Sequence, residues 1–553
     1  MASLVVLSFI PLFDLFKIGL PLTHDGQDHV ARIANFYQNL SEGNIIPRWA
    51  GNLNWGYGHP ILEFLYPLPS YFASLFHFFG FTLVDSVKLV FGTSFVLSGL
   101  AMFFFIKELL RDDKSAFFAS ALYTIAPYRF VDLYVRGAIG EHVAFIFPPL
   151  IFYFLTKLSK SYSYWYVLGG SLSFAGLILS HNAITLMFFP LILMYIFYLI
   201  FQCSNKKYFI FSSFSLIFLG FGLSAFFWMP AFMEGKYTLR DIVTSGGEYL
   251  TSFAVWKDFF FGQWSYGGTA ALSKQIGFIH WIGIFGSIIS TYILLYRNKN
   301  KLWILTLGIF VILGITLFLM TSASGPIWQT ITVLQKFQFP WRFLSVTVFL
   351  SALLGGILLS LISNKYKKVA LLILVIGLLV VNKDYWHAQG FLQKEESFYS
   401  GIYNGTTDTG ESAPIWSVRF MEKRPSSKVE IISGIANLKE ISRSVTEREY
   451  RVEAIDKIRI LENTLYFPGW TVLVDGRRED IEFQDQNHRG LITFDVAKGN
   501  HKVNISYEET KTRLFANVIS AVSLLAVGGL IFFKQLKTKK GYNNNKPYGK
   551  RSK

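Results

Sequence analysis

In 553 residues the chain carries 52% hydrophobic and 18% aromatic side chains but only 16% charged ones. A soluble chain carries about 25% charge, so a purely soluble enzyme is excluded and a polytopic membrane protein is indicated. The net charge of +16 lies in short loops and the tail, which points to membrane orientation and away from a nucleic-acid partner.

Apolar runs predict about twelve spans, at roughly 3–20, 84–110, 115–127, 138–156, 164–180, 183–201, 208–228, 276–296, 302–320, 343–363, 369–382 and 514–533. The third and eleventh are short enough to be broken or interfacial. Basic residues fill alternate loops: Arg111 and Lys114, Lys157 and Lys160, Lys206 and Lys207, Arg297, Lys299 and Lys301, and Lys365, Lys367 and Lys368. The positive-inside rule then places a multi-pass protein in the cell membrane with both termini cytoplasmic. Every long loop falls outside: 21–83, 229–275, 321–342 and 383–513.

The first segment lacks a basic leader and a small-residue cleavage site, so it reads as a retained span. Asp14 and Lys17 stand there at a helical i, i+3 spacing that allows an ion pair. Residues 25–41 have the period of an amphipathic helix. Val30, Ile33, Ala34, Tyr37 and Leu40 share one face; Asp25, Asp28, His29, Arg32, Asn35 and Asn39 share the other. Such a helix is expected to lie along the interface with its polar face open to an external cavity. Tyr66 to Phe79 is apolar but too short to cross.

Residues 383–513 change character. Trp470–Val474 and Val503–Tyr507 alternate as half-buried strands do. Asp475-Gly476 and Lys498-Gly499-Asn500 read as hairpin turns. About eight strands predict an extracytoplasmic antiparallel β-sandwich. The expected units are therefore a transmembrane part over 1–382, a β-rich part over 383–513, a last span at 514–533 and a basic, disordered cytoplasmic tail at 534–553. With one cysteine, Cys203, no internal disulfide is available.

Charged groups at membrane depth are costly and merit a functional reading. Asp25, Asp28, His29 and Arg32 are the residue types of acid–base work, although a wetted helix face has the same pattern. Arg136 and Glu141 sit at the edge of a span and fit a substrate contact or a structural ion pair equally. His181, in Ser180-His181-Asn182, also suits a helix cap. Arg342, in Phe339-Pro340-Trp341-Arg342, fits a lipid phosphate or an interfacial anchor. The sequence has no Walker A loop, no convincing GxGxxG unit and no HExxH or CxxC pair, and its histidines are scattered, so no metal site is assigned.

Taken together, Asp25-x-x-Asp28-His29, Pro47-Arg48-Trp49 with Gly56-Tyr57-Gly58, Tyr66-Pro67-Leu68, Arg136-Gly137-Ala138 with Glu141, Ser180-His181-Asn182, Trp228-Met229-Pro230 with Glu234, Phe339-Pro340-Trp341-Arg342, and Tyr466-Phe467-Pro468-Gly469-Trp470 with Val474-Asp475-Gly476 form a family pattern. It resembles the 6-pyruvoyl-tetrahydropterin synthase-related membrane proteins and, more distantly, the YfhO-like proteins. Both are similar to the GT-C superfamily of membrane glycosyltransferases. The pterin name is no guide to chemistry, since the metal-binding histidines of a soluble pterin synthase are missing.

The resemblance implies a GT-C-like helical fold and an acidic catalytic residue just after the first span. Asp25 matches that position, with Asp28 as the competing candidate. It also implies a polyprenyl-phosphate-linked sugar as donor, membrane lipids as surroundings, and a glycan, lipid or protein of the cell envelope as acceptor. Arg136, His181 or Arg342 would neutralise the lipid phosphate; His29, Arg32, Arg48, Glu141 and His142 complete the candidate substrate contacts. Some relatives use a divalent metal at such carboxylates, and two acids permit one without demanding it. The alternative is a non-enzymatic transporter, flippase or scaffold for lipid-linked glycans. No inverted repeat of the transporter kind is visible.

Overall fold

The computed structural model describes residues 1–244, 247–267, 272–297 and 301–543. Each predicted span overlaps one helix or two consecutive ones. Among the described residues eight helices are long and apolar enough to cross a bilayer: Leu83–Leu110, Ile139–Lys160, Asn182–Ile200, Lys206–Leu223, Phe278–Tyr296, Leu302–Leu319, Pro340–Leu361 and Lys511–Gly529. Ala2–Phe16, which opens with helix Ala2–Phe9 (α1), and Tyr164–Ser180 are apolar but shorter, and Asn364–Asn382 carries the lysines of its loop. Helix Asp113–Thr124 has 12 residues, about 18 Å at 1.5 Å per residue. It stops short of the bilayer thickness because Pro127 follows and the chain continues as a short helix and a wide turn, Val131–Arg136.

Local chemistry sets the ends. Thr82 accepts from the Asp85 amide at 3.0 Å and opens the helix at Leu83. Asp112 accepts from the Lys114 amide at 3.0 Å and opens the next, as small polar N-caps do. Phe211, Phe218, Ile289, Tyr292, Ile315 and Leu525 project outward from the bundle, a surface that lipid satisfies and water does not. Pro340–Leu361 lies at the centre. Gly283 approaches Gly355 backbone to backbone, a close crossing that small residues permit.

The long loops gather on one face. Leu20–Pro21 (β1) pairs with Phe391–Leu392 (β2), Thr238 bridges to Pro414 and Ala254 to Thr321. His24 Nε2 lies 2.9 Å from the Tyr266 carbonyl. The lysine loops occupy the opposite face, where Lys160 meets Glu108 at 2.7 Å and Lys367 meets Asp112 at 2.5 Å. The expected Asp14–Lys17 pair is present at 2.6 Å.

The β-rich part is a two-sheet antiparallel sandwich. One sheet orders Ala436–Arg443 (β4), Glu447–Ala454 (β5), Gly499–Tyr507 (β10), Trp470–Val474 (β7) and Arg477–Glu479 (β8); the other orders Val429–Ser433 (β3), Ile458–Leu465 (β6) and Leu491–Val496 (β9). Asp475 and Gly476, at φ 51° and 79°, make the predicted tight turn, since both central positions of that turn need positive φ. Lys498-Gly499-Asn500 is not a hairpin. The strand before it pairs with β6 and the strand after it with β5 and β7, so the turn carries the chain from one sheet to the other. Period-two alternation is the same for either outcome.

The predicted 1–382 and 383–513 units share one core. Trp49, fully buried, meets Trp470 edge-on at 5.4 Å and Tyr507 at 5.4 Å. Glu42 accepts from the Val445 amide at 2.8 Å. The last helix runs Lys511–Asn543, so residues 534–543 of the expected disordered tail are helical; 544–553 lie outside the described residues.

Candidate active site

Helix Gly26–Ser41 (α2) begins at Asp25. Two backbone bonds pin this entrance to the turn after the third span: the His24 amide donates to the Val135 carbonyl at 3.0 Å and the Asp25 amide to the Arg136 carbonyl at 2.9 Å. Gly137 permits the approach, because its φ is +69° and a Cβ there would strike Thr23.

Asp25 is exposed, and Asp28, one turn on, is half-buried. Tyr403 donates its hydroxyl to Asp28 Oδ1 at 2.8 Å. Burial raises the proton affinity of Asp28; Tyr403 and Arg32 oppose that, and the negative charges of Asp25 and Asp408 add to it, leaving the pKa above the ordinary aspartate range. Burial and neighbouring Arg32 push His29 well below the usual histidine range, so it is neutral and its Nδ1 accepts from Arg32 Nη1 at 3.0 Å. Arg32 also donates Nε to Thr407 Oγ1 at 3.2 Å and Nη2 to the Thr407 carbonyl.

The expectation that the whole polar face of α2 opens to a cavity needs correction. His29, Arg32, Asn35 and Asn39 are buried. Asn35 and Asn39 bond the first loop at the Asn52 amide (2.9 Å) and the Trp49 carbonyl (2.9 Å), and residues 403–408 cover Arg32. A polar face can be satisfied by protein as readily as by water, and period alone does not distinguish the two. Only the first turn, with Asp25 and Asp28, stays accessible.

Beside that turn lies a buried ionic cluster. Arg136 Nη1 donates to Asp132 Oδ1 at 2.6 Å and to Glu141 Oε2 at 2.8 Å, and its guanidinium stacks over Trp341 at 4.9 Å. Tyr128 donates to Glu141 Oε1 at 2.6 Å. Arg342 Nε sits 3.6 Å from Glu141 Oε2 and Nη1 donates to the Phe337 carbonyl at 3.0 Å. Among the described residues its Nη2 has no protein partner, and it belongs to a charged group beside an accessible acid. His181 caps the helix at Asn182 through the Ile184 amide (3.4 Å) and stacks on Tyr66 at 5.0 Å.

Tyr66 joins the two halves. It lies within electrostatic reach of Asp25 and Arg32 on one side and of Arg136 and Arg342 on the other, and burial pushes its hydroxyl up to about 12. Gly140 makes room for it, since a methyl there would fall inside the Tyr66 ring. Tyr66, Tyr128, Asp132 and Trp341 extend the predicted set; the last three stand beside the arginine motifs in the sequence, whereas Tyr66 opens an apolar stretch. Tyr403 and Thr407 had no local signal.

The structure does not bring all candidates together. Arg48 donates to Glu509 at 2.9 Å, to Asn517 at 3.0 Å and to the Phe226 carbonyl at 3.3 Å, which ties the first loop to the last helix. His142 is fully buried, stacked on Phe95 at 5.9 Å and 3.4 Å from Arg129. Asp25, Asp28, His29, Arg32, Arg136, Glu141, His181 and Arg342 share the one cluster. Among the described residues no three His, Cys, Asp or Glu side chains gather as an ion-binding set.

Residues 62–390 match the family described as the 6-pyruvoyl-tetrahydropterin synthase related domain, a membrane protein. The chain belongs to this family. Within this family's frame Tyr66, Arg136, Glu141, His181 and Arg342 all fall inside the matched region, while Asp25 and Asp28 precede it. An uncharacterized protein of Lactococcus lactis subsp. cremoris (strain MG1363) is 29% identical over 276 residues, 47% of this chain and 44% of the relative; the chain thus spans less than half of that relative's length. Among solved structures, the mycobacterial arabinofuranosyltransferase AftD overlays 71% of this chain and 27% of its own at 12% identity, TM-score 0.43. ArnT from Cupriavidus metallidurans, bound to undecaprenyl phosphate, overlays 72% and 66% at 15% identity, TM-score 0.42. The Archaeoglobus fulgidus oligosaccharyltransferase overlays 75% and 61% at 12% identity, TM-score 0.39. These partial overlays carry no argument about activity.

Proposed function

We propose that this family member is a membrane glycosyltransferase that moves a sugar from a polyprenyl-phosphate donor to an acceptor of the cell envelope, with its long-loop face outward and both termini cytoplasmic. One observation carries the reading: the Asp25 amide is bonded to the Arg136 carbonyl, so an accessible pair of carboxylates abuts a buried cluster containing Arg136 and Arg342. Glycosyl transfer from a lipid phosphate needs that combination, a base for the acceptor hydroxyl and cations for the departing phosphate.

Asp28 is the better base of the two acids. Its proton affinity is raised, and Tyr403 engages only Oδ1, leaving the second oxygen to take a proton. Asp25, at the exposed entrance, would meet the incoming acceptor. Arg342, with an unengaged Nη2, would take the donor phosphate, while Arg136 is already matched by Asp132 and Glu141. The sandwich, welded to the first loop at Trp49, would hold the acceptor.

The test is transfer of a radiolabelled sugar from polyprenyl phosphate in membranes. Asp28→Asn is expected to lose about 100-fold or more, and Asp25→Asn to lose activity chiefly through acceptor KM. Full activity in both variants at normal protein levels would overturn the assignment of the two acids, and no transfer by the parent protein would favour a non-enzymatic carrier of lipid-linked glycans.

A further inference from the structure

The segment that crosses α2 arrives from the far end of the chain, and its backbone is built into the first loop. The Tyr403 amide donates to the Asn52 carbonyl at 2.9 Å, and the Tyr403 carbonyl accepts from the Trp55 amide at 2.9 Å. Its ring meets Phe398 edge-on at 5.9 Å. Four residues on, Thr407 adopts φ 64°, an uncommon conformation for a side chain branched at Cβ, and presents both its hydroxyl and its carbonyl to Arg32. Asp408 follows, 3.4 Å from buried His59, with its carboxylate capped by the Gly410 and Ser412 amides at 2.9 and 3.0 Å. The strap is thus fixed on both sides of the contact.

We infer that Tyr403 is a positioning residue for Asp28: its hydroxyl holds one carboxylate oxygen and turns the other toward the reacting hydroxyl. The inference rests on the glycosyl-transfer reading and deepens it. In that step the acceptor O–H proton passes to the free oxygen of Asp28. The acceptor oxygen bonds to the anomeric carbon, and the bond from that carbon to the lipid phosphate breaks, its electron pair leaving with the phosphate. Tyr403 touches neither substrate. Its hydrogen bond stabilises the ionised carboxylate, against the charges of Asp25 on α2 and Asp408 on the strap and together with Arg32.

The experiment uses the full chain in membranes and two readouts. Tyr403→Phe is expected to shift the acid limb of kcat/KM upward by about 0.5–1 pH unit, a roughly 3- to 10-fold loss below the limb with the plateau little changed. Replacing Tyr403 by 3,5-difluorotyrosine, a stronger donor of the same shape, is expected to shift it downward and serves if Tyr403→Phe fails to accumulate. Independently of activity, the infrared carboxylic band that Asp28→Asn removes is expected to titrate at higher pH in Tyr403→Phe. A limb and a band that do not move, or a uniform loss at every pH with an unmoved band, would overturn the inference. A shifted band in a protein that transfers no sugar would refute the transfer reading while leaving the Asp28–Tyr403 coupling standing.

Discussion

Glu63 of the first long loop and Arg513 of the last span lie 2.8 Å apart, and neither side chain is exposed to solvent. Arg513 also holds Glu234 at 2.7 Å, and Thr510 donates a short hydrogen bond to the same carboxylate. A single guanidinium faces two buried acids, so it compensates only one negative charge. Burial, with Glu234 adding to it and Arg513 opposing, lifts Glu63 from 4.5 to about 8. The knot joins three segments from the two ends and the middle of the chain.

A pH dependence follows. Between pH 4.5 and about 8 the folded chain keeps a proton on Glu63 that the unfolded chain has released. Stability therefore falls as pH rises through that window and levels off above it, with a slope of at most about 1.4 kcal/mol per pH unit from this group. Glu63→Gln is expected to flatten the decline of Tm between pH 5 and 8 in detergent. Conversely, Arg513→Met leaves the buried Glu234 carboxylate without its cation, beside a protonated Glu63, and is expected to cost about 3–5 kcal/mol near neutrality, with the deficit shrinking in acid. An equal deficit at pH 5 and pH 8 would refute the account.

The two arginines of the site are expected to fail differently. Arg136→Ala strands Asp132 and Glu141 in a buried setting, so Tm falls steeply, by the equivalent of about 3–5 kcal/mol. Arg342→Ala leaves Glu141 bonded to Arg136 and Tyr128. It is expected to keep the fold and raise the KM for lipid donor about 10-fold or more, the loss of one charge-assisted contact. Reversed phenotypes would exchange the structural and phosphate roles.

Trp49 is the hinge pin between loop and sandwich. Trp49→Ala removes a fully buried indole from Trp470 and Tyr507 and is expected to cost about 3–5 kcal/mol. Limited proteolysis should then cut within residues 401–428, ahead of β3, faster than in the parent. Unchanged cleavage would mean that the two units hold together without this contact.

Much of the architecture is written in local sequence. Lipid demands internally bonded apolar helices, so hydropathy located the helices at each predicted span, and a period near 3.6 placed α2 and its two faces. Period two and Asp475-Gly476 located the strands and one turn. Asp25, Asp28, Arg136, Glu141 and Arg342 were legible as site candidates because charge is costly in such surroundings. Tertiary structure decided what covers each face. The α2 polar face is closed by residues some 375 positions away, Arg48 serves the last helix, and His142 serves an aromatic core. Lys498–Asn500 changes sheets where the pattern allowed a hairpin. Periodicity records which side of an element is polar, but it holds no record of the partner that satisfies it; that partner is chosen only when distant segments pack together.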